Sequence, residues 1–179
     1  SLGTEIHCSA QLIGDIAWSH HIDHTWTPQV LRRILETVPG LRFQPKTEQS
    51  RFKVSYYVDT AVAPPITEIQ SLLRQQELSV NATLSFGQYL DIIPERASKG
   101  QALRHVASLW RIPLNHILVT GGSSGDDDML RGNTLGVVVA NRHCEELSGL
   151  SESEHVYFAA GAHARGILEA IDHYNFFAA

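Results

Sequence analysis

The stretch from Ile117 to Leu130, Ile-Leu-Val-Thr-Gly-Gly-Ser-Ser-Gly-Asp-Asp-Asp-Met-Leu, constrains the fold more than any other part of the chain. A short apolar run stops at paired glycines, and an acidic cluster follows before apolar residues resume. That order spells a buried strand, a tight loop and a helix start. Such a loop lies at the carboxyl end of its strand, where open α/β sheets place ligands. Two readings of Asp126, Asp127 and Asp128 follow. Negative charge is favourable at a helix N-terminus, so the three can form a solvated first turn. They can equally offer oxygens to a hard cation such as magnesium, which often shares its shell with a substrate phosphate.

The rest of the chain supplies further strands and helices. Residues 1–13 read as two short strands with a turn near Cys8 to Gln11. Thr27-Pro28 has the form of an N-cap with proline at the first helical position. Val30, Leu31, Ile34, Leu35 and Val38 then mark one helical face, which Pro39-Gly40 stops. Val54, Tyr56 and Val58 alternate with Ser55 and Tyr57 as in a strand. Pro64-Pro65 opens a second helix through Ile66, Ile69, Leu72 and Leu73. Leu78 to Leu84 alternates again, and another short strand leads into Asp91-Ile92-Ile93. This middle section is expected to hold two helices and about four strands. Beyond Pro94, Ser98 and Gln101 have capping-box spacing. Ala102, Leu103, Val106, Ala107 and Trp110 give the next helix an apolar face. Ile117 to Thr120 and Leu135 to Ala140 are the short apolar runs of parallel strands buried on both faces. Ala164, Ile167, Leu168 and Ile171 mark a closing helix. Alternating strands and helices imply right-handed parallel crossovers.

Composition excludes several partners. A net charge of −5 without a basic run argues against a nucleic-acid backbone. Nothing approaches the roughly 18 uninterrupted apolar residues of a membrane span, so no membrane is expected. Cys8 and Cys144 are the only cysteines, too few for a disulfide scaffold. A cytoplasmic protein is the expectation. The chain opens with Ser1 directly in strand-like sequence and is expected to be part of something longer.

Few side chains suggest chemistry on their own. Lys99, at a helix start ahead of the acidic loop, would offset charge that builds on a phosphate held between them. Asn141 follows a core-like strand, where it can bond a ligand or simply form a turn. His20, His21, Asp23 and His24 form a dense cluster with the chemistry of a zinc site, but no cysteine joins it, and the segment reads as the exposed entry to the first helix. Trp18, Trp26, Tyr56, Tyr57, Phe86 and Tyr89 could support sugar rings, although most are expected in the core. There is no Walker loop and no Gly-x-Gly-x-x-Gly, and no Asp-x-Asp directly follows an apolar strand.

Four elements taken in order carry a resemblance: Phe52-Lys-Val-Ser-Tyr-Tyr57, Asp91-Ile-Ile-Pro-Glu-Arg-Ala-Ser-Lys-Gly100, the loop from Gly121 to Asp128, and His163-Ala-Arg-Gly-Ile-Leu-Glu-Ala-Ile-Asp-His-Tyr174. Together they resemble the sucrose-phosphate phosphatases, haloacid-dehalogenase-type hydrolases, and in particular the phosphatase-like C-terminal domain of sucrose-phosphate synthases. The resemblance implies an α/β fold, a Rossmann-like core with an inserted α/β cap. Residues 1–13 and about 93–179 would be core, and about 14–92 cap. It also implies an aspartate nucleophile, magnesium as cofactor and hydrolysis through an aspartyl-phosphate. Lys99 matches the catalytic lysine of that family. Asp126 matches the second aspartate of the metal loop, with Asp127 or Asp128 a candidate to substitute for the first if the loop changes shape. Lys53, Gln88 and Asn141 would serve the substrate, sucrose 6-phosphate.

The departures are as specific as the matches. The first aspartate of the metal loop falls on Gly122, and the Gly-Lys-Asp element that reaches the sugar reads Gly87-Gln88-Tyr89. The nucleophile strand of the family would precede Ser1, so an upstream segment or a partner chain is expected to cover the neighbouring strand edge. The resulting expectation is a sucrose-phosphatase-like domain of a synthase-type protein, with a glycosyltransferase domain upstream. It would be weakly active or non-catalytic as given. The alternative is an active magnesium-dependent phosphatase whose nucleophile motif lies upstream of residue 1.

Overall fold

The period-two alternation of residues 54–58 and 78–84 resolves into an antiparallel sheet. In the computed structural model, which describes residues 2–7, 14–143 and 146–178, the chain divides into two compact units, Ser1–Ser98 and Lys99–Ala179. The first unit is built on β1 (Leu41–Phe43), β2 (Val54–Val58), β3 (Val80–Ser85) and β4 (Tyr89–Pro94). Their order is β1-β2-β4-β3, with every neighbour antiparallel. Register sets Val54 opposite Ile92 and Tyr56 opposite Leu90. All four are at most 2% exposed, so this face of the sheet is core.

Helices supply the other side of that core. Leu31 and Leu35 on α2 (Pro28–Leu35) are buried, as are Ile69 and Leu73 on α3 (Ile66–Gln75), each pair spaced for one helical face. The guanidinium of Arg32 lies 5.3 Å from the Phe43 ring centre, and Gln70 Nε2 donates to Ala82 O at 3.0 Å. The phenol of Tyr56 pays for this position in its acidity: burial, with a smaller opposing pull from Arg32, pushes its pKa up to about 12.

Several expectations for this unit are corrected. The segment read as an exposed helix entry is itself a helix, α1 (Ile16–Ile22), carrying His20 and His21. It forms because Asp15 accepts from Trp18 N at 2.7 Å, capping the first turn, and because Trp18 and Ile22, four residues apart, are both buried. Pro28 does open α2, but Thr27 makes no side-chain cap bond. The helix also ends three residues before Val38. The N–H groups of Thr37 and Val38 fold back to Ile34 O and Leu35 O at 3.2 and 3.1 Å, a tighter i to i−3 pattern. Phe86 and Tyr89 are 54% and 37% exposed rather than core, because they flank the β3–β4 turn. An antiparallel bridge joins His7 and Gly14, while the turn expected near Cys8 to Gln11 lies outside the described residues. The β4 strand runs from Tyr89 to Pro94.

Gly40 is the tightest point of this unit. Its φ is +76°, and a Cβ placed there would sit 2.5 Å from Ala63 N and 2.8 Å from Ala63 Cα. Gly40→Ala therefore combines left-handed strain of about 1–2 kcal/mol with overpacking of about 1–3 kcal/mol. The expected outcome is destabilisation by about 3 kcal/mol in urea unfolding, with unchanged far-ultraviolet dichroism before the transition.

In the second unit, the apolar runs become parallel strands as expected. β5 (Leu118–Gly121), β6 (Leu135–Val138) and β7 (Val156–Phe158) pair in that order, all parallel. On one side Val119, Val138 and Val156 pack with Leu130 and Leu147; on the other, Val137 packs with Ala159 and Ala170. The helices are α4 (Lys99–Trp110), α5 (Asp127–Leu130) and α6 (Ala164–His173). Trp110 departs from its expected place in the core and is 66% exposed. The buried stripe of α4 ends at Ala107, one turn earlier, and Arg111 at φ 57° takes the chain out of the helix. Mixed α/β architecture with this parallel sheet is the Rossmann-like core that the sequence implied. Among the described residues, no helix is long and apolar enough to cross a membrane.

Candidate functional site

The β5 strand ends at Gly121, and the loop behind it is organised around one carboxylate. Ser124–Asp126 forms a 3-10 turn and α5 follows directly. Asp126 Oδ2 accepts from Gly122 N at 2.9 Å, Ser123 N at 3.1 Å and Ser123 Oγ at 3.3 Å. Its other oxygen, Oδ1, accepts from Lys99 Nζ at 2.5 Å, so two residues 27 apart in sequence meet here. The Asp126 side chain is only 11% exposed, while Lys99 retains 36% exposure. Burial alone would raise the pKa of Asp126. The hydrogen bond from Lys99 and those from Gly122 and Ser123 together outweigh burial and hold the carboxyl below its ordinary value.

The other two acidic residues point elsewhere. Asp127 accepts from Arg131 Nε at 2.7 Å, one turn along α5. Asp128 accepts from Gly100 N at 3.2 and 3.1 Å through its two oxygens, which caps the start of α4, and Arg104 Nη2 lies 3.7 Å away. The acidic cluster thus splits three ways, and the two readings of the sequence divide between its members. Asp127 and Asp128 behave as helix-terminus residues, and Asp126 turns inward to the lysine.

Magnesium asks for near-octahedral oxygen coordination. Asp126 brings one carboxylate, already ion-paired, and Gly122 brings none. Among the described residues, no group of three or more His, Cys, Asp or Glu is placed to hold a metal ion. The described donors therefore do not by themselves fit magnesium. Space is not the obstacle at Gly122, since a Cβ there would lie 3.4 Å from Val139 Cγ2 and 3.5 Å from Arg142 Cα, ordinary contact distances.

Two residues brace the loop from the chain beyond β6. His143 N donates to Gly122 O at 2.7 Å, and Glu146 Oε2 accepts from Ser124 N at 2.9 Å. Glu146 carries no signal in the sequence, where it stands in an unremarkable Glu-Glu pair; only the returning loop reveals its part. Asn141 Oδ1 accepts from His163 N at 2.8 Å, where the backbone of His163 has φ 52° ahead of α6. Its side chain thus ties two loops at the ends of β6 and β7.

Lys53 and Gln88 belong to the antiparallel-sheet unit. Lys53 Nζ lies 3.7 Å from Asp91 Oδ1, with side chains 16% and 19% exposed. Ser55 Oγ donates to the same oxygen of Asp91 at 2.5 Å. Asp91 was visible in the sequence only as the start of a motif; strand pairing is what sets it beside Ser55. Gln88 lies in the β3–β4 turn, where its carbonyl accepts from Val58 N at 2.9 Å and its own N–H donates to Ser85 O at 3.2 Å.

Comparison with known proteins agrees with this geometry. The family model "Sucrose-6F-phosphate phosphohydrolase" matches residues 1–175. Probable sucrose-phosphatase 3b of Arabidopsis thaliana is 32% identical over 186 residues, covering 98% of this chain and 44% of that protein. The chain therefore spans less than half the length of that curated relative. Probable sucrose-phosphate synthase 2 of Arabidopsis thaliana is 31% identical over 142 residues, covering 72% of this chain and 14% of the synthase. The X-ray structure of the sucrose-phosphatase from Synechocystis sp., in complex with sucrose and phosphate, superposes with a TM-score of 0.89 at 28% identity, covering 98% of this chain and 72% of that one. With the Lys99–Asp126 loop at the end of β5 and a family model matching nearly its whole length, this chain belongs to the sucrose-6F-phosphate phosphohydrolase family.

Proposed function

We propose that this domain binds a sugar phosphate of the sucrose 6-phosphate type and, as this chain alone, hydrolyses it weakly or not at all. The observation that carries the reading is the loop after β5: the Lys99–Asp126 pair is formed, but Gly122 stands where the family's first metal-loop aspartate falls and Asp127 is engaged by Arg131. Lys99, one-third exposed, presents an ammonium that offsets the charge of a phosphate. Asp126 fixes that ammonium and shapes the backbone around Gly122 and Ser123. We further propose that the domain works beside a glycosyltransferase domain, as in a sucrose-phosphate synthase; similarity to part of one such protein supports this.

The second reading is an active sucrose-phosphate phosphatase, favoured by the family match and by the likeness to the Synechocystis enzyme. In that reading Asp126 would be one ligand of magnesium, and the ion, when bound, would supply electrophilic activation of the phosphate. One assay separates the two. Phosphate release from sucrose 6-phosphate is followed with and without magnesium, and binding of sucrose 6-phosphate and inorganic phosphate is measured by calorimetry. Binding that is lost in Lys99→Met, with release no faster than in buffer, is the expected result. Magnesium-dependent turnover abolished by Asp126→Ala would overturn the non-catalytic reading.

A further inference from the structure

The antiparallel sheet stops at β1, and its outer edge offers hydrogen bonds that the fold does not use. Gln44 N donates to Ser55 O at 3.0 Å and Asp59 N donates to Gly40 O at 2.9 Å, with Arg42 opposite Tyr57 midway between these pairs. Bonded and non-bonded pairs alternate along an antiparallel ladder. The N–H and C=O groups of Leu41 and Phe43 therefore point away from β2, and no strand of the sheet lies beyond β1 among the described residues. Phe43 packs edge-on against Tyr56, with ring centres 5.4 Å apart, yet is 45% exposed because the sheet ends there.

Cations gather at the same edge. The Arg32 guanidinium lies over Phe43 on one face of the sheet and that of Arg42 over Tyr57 on the other, 5.3 and 4.3 Å from the ring centres. Lys46 follows in the turn after β1. None of these three forms an ion pair among the described residues, whereas Arg51 and Lys53 are matched by Asp23 and Asp91. Arg32 Nε is buried with no acceptor among the described residues. From Arg32 to Glu48 the chain carries four cations, Arg32, Arg33, Arg42 and Lys46, against two carboxylates, Glu36 and Glu48, although its net charge is −5.

We propose that β1 is a docking edge for an extended acidic segment of a partner protein, which adds a strand to this sheet. The outward groups of Leu41 and Phe43 supply the main-chain hydrogen bonds. A partner residue opposite Phe43 shares its face and covers the exposed ring, so an apolar side chain belongs there. The residues before and after it lie on the Arg42 face, where carboxylates meet the unmatched charge. The segment thus alternates acidic and apolar residues. The ordinary alternative is that Arg32 and Arg42 only guard the edge against pairing, as charged side chains on edge strands do.

NMR titration of the isotope-labelled chain with the blocked peptide Ser-Glu-Val-Glu-Val-Glu-Ser tests it. The Leu41 and Phe43 amide resonances are expected to shift and their hydrogen exchange to slow. Replacing the three glutamates by glutamine, or making Arg42→Glu in the chain, should each weaken binding by about tenfold. Phe43→Pro removes an outward N–H at a position where an edge strand tolerates proline, and should abolish binding. Absence of shifts at Leu41 and Phe43 with millimolar peptide overturns the proposal, as does equal binding by the glutamine peptide or by folded Arg42→Glu. If Phe43→Pro does not fold, these arms decide alone. An oligothymidylate of equal charge that protects the same amides as well as the peptide does would show a general polyanion surface and overturn the added strand. Protection of those amides in the chain alone, rising with its concentration, would assign the edge to a second copy and overturn it equally.

Discussion

Asp126→Ala is expected to lower the melting temperature of the protein by about 6–12 °C at pH 7, an effect of about 3 kcal/mol at about 2–4 °C per kcal/mol for a chain of this size. Four donors converge on this carboxylate: the backbone N–H groups of Gly122 and Ser123, the Ser123 hydroxyl and the Lys99 ammonium. Hydrogen bonds to a charged acceptor are worth about 1.5–3 kcal/mol each when net effects are measured. The Lys99 share must be discounted, because its ammonium is one-third exposed and can return to water. Most of the loss therefore comes from the two backbone donors. Asp126→Asn keeps an acceptor for them but gives up the ion pair, so its melting temperature should fall between the other two.

The pH dependence of that difference is a second arm of the same experiment. The folded carboxyl is held below its ordinary value by its donors, so its contribution is complete above the unfolded pKa of about 3.9. It disappears as pH falls through the lower folded value. The gap between the parent and Asp126→Ala should stay constant from pH 7 to about 5 and close only below about 4. A gap that closed near neutral pH would show that Asp126 is not the ionised acceptor of this loop.

How much of this was legible depends on how local each cause is. Tyr56 and Val58 announce β2 by alternation, and Pro64-Pro65 announces α3, because both signals lie within a few residues. The strand ending at Gly121 was equally plain. The meeting of Lys99 with Asp126 had no local signal; it was inferred from the order of motifs and is made by α4 crossing to the loop after β5. Asp127 and Asp128 looked alike in sequence, yet one rises from α5 to Arg131 and the other caps α4, a division that only helix geometry can make. The three-residue β7 is too short to show a period, and α1 was hidden because its polar histidines mask the Trp18–Ile22 spacing. Tyr57 and Tyr89 are 32 positions apart, and their pairing exists only once the register of β2 on β4 is known.

Gly122→Asp is expected to bind magnesium under conditions in which the parent chain is expected not to. The substitution returns a carboxylate to the position where the resemblance places the family's first loop aspartate, four residues before Asp126. The backbone accepts it, since a Cβ at Gly122 would lie 3.4 Å from Val139 Cγ2 and meets nothing closer. Two carboxylates at one loop change the local balance: Lys99 can neutralise one of them, and the second is left to attract a hard cation. At free magnesium ten times its dissociation constant, binding to the folded state alone stabilises by about 1.4 kcal/mol. That predicts a rise in melting temperature of about 3–6 °C for Gly122→Asp. The parent and the double variant Gly122→Asp, Asp126→Ala should show no rise. Should the parent respond to magnesium as strongly as Gly122→Asp, residue 122 is not what limits the site, and the non-catalytic reading loses its main support. A response in Gly122→Asp alone would locate the lost metal affinity at a single missing carboxylate, within a loop otherwise held in place by Asp126, His143 and Glu146.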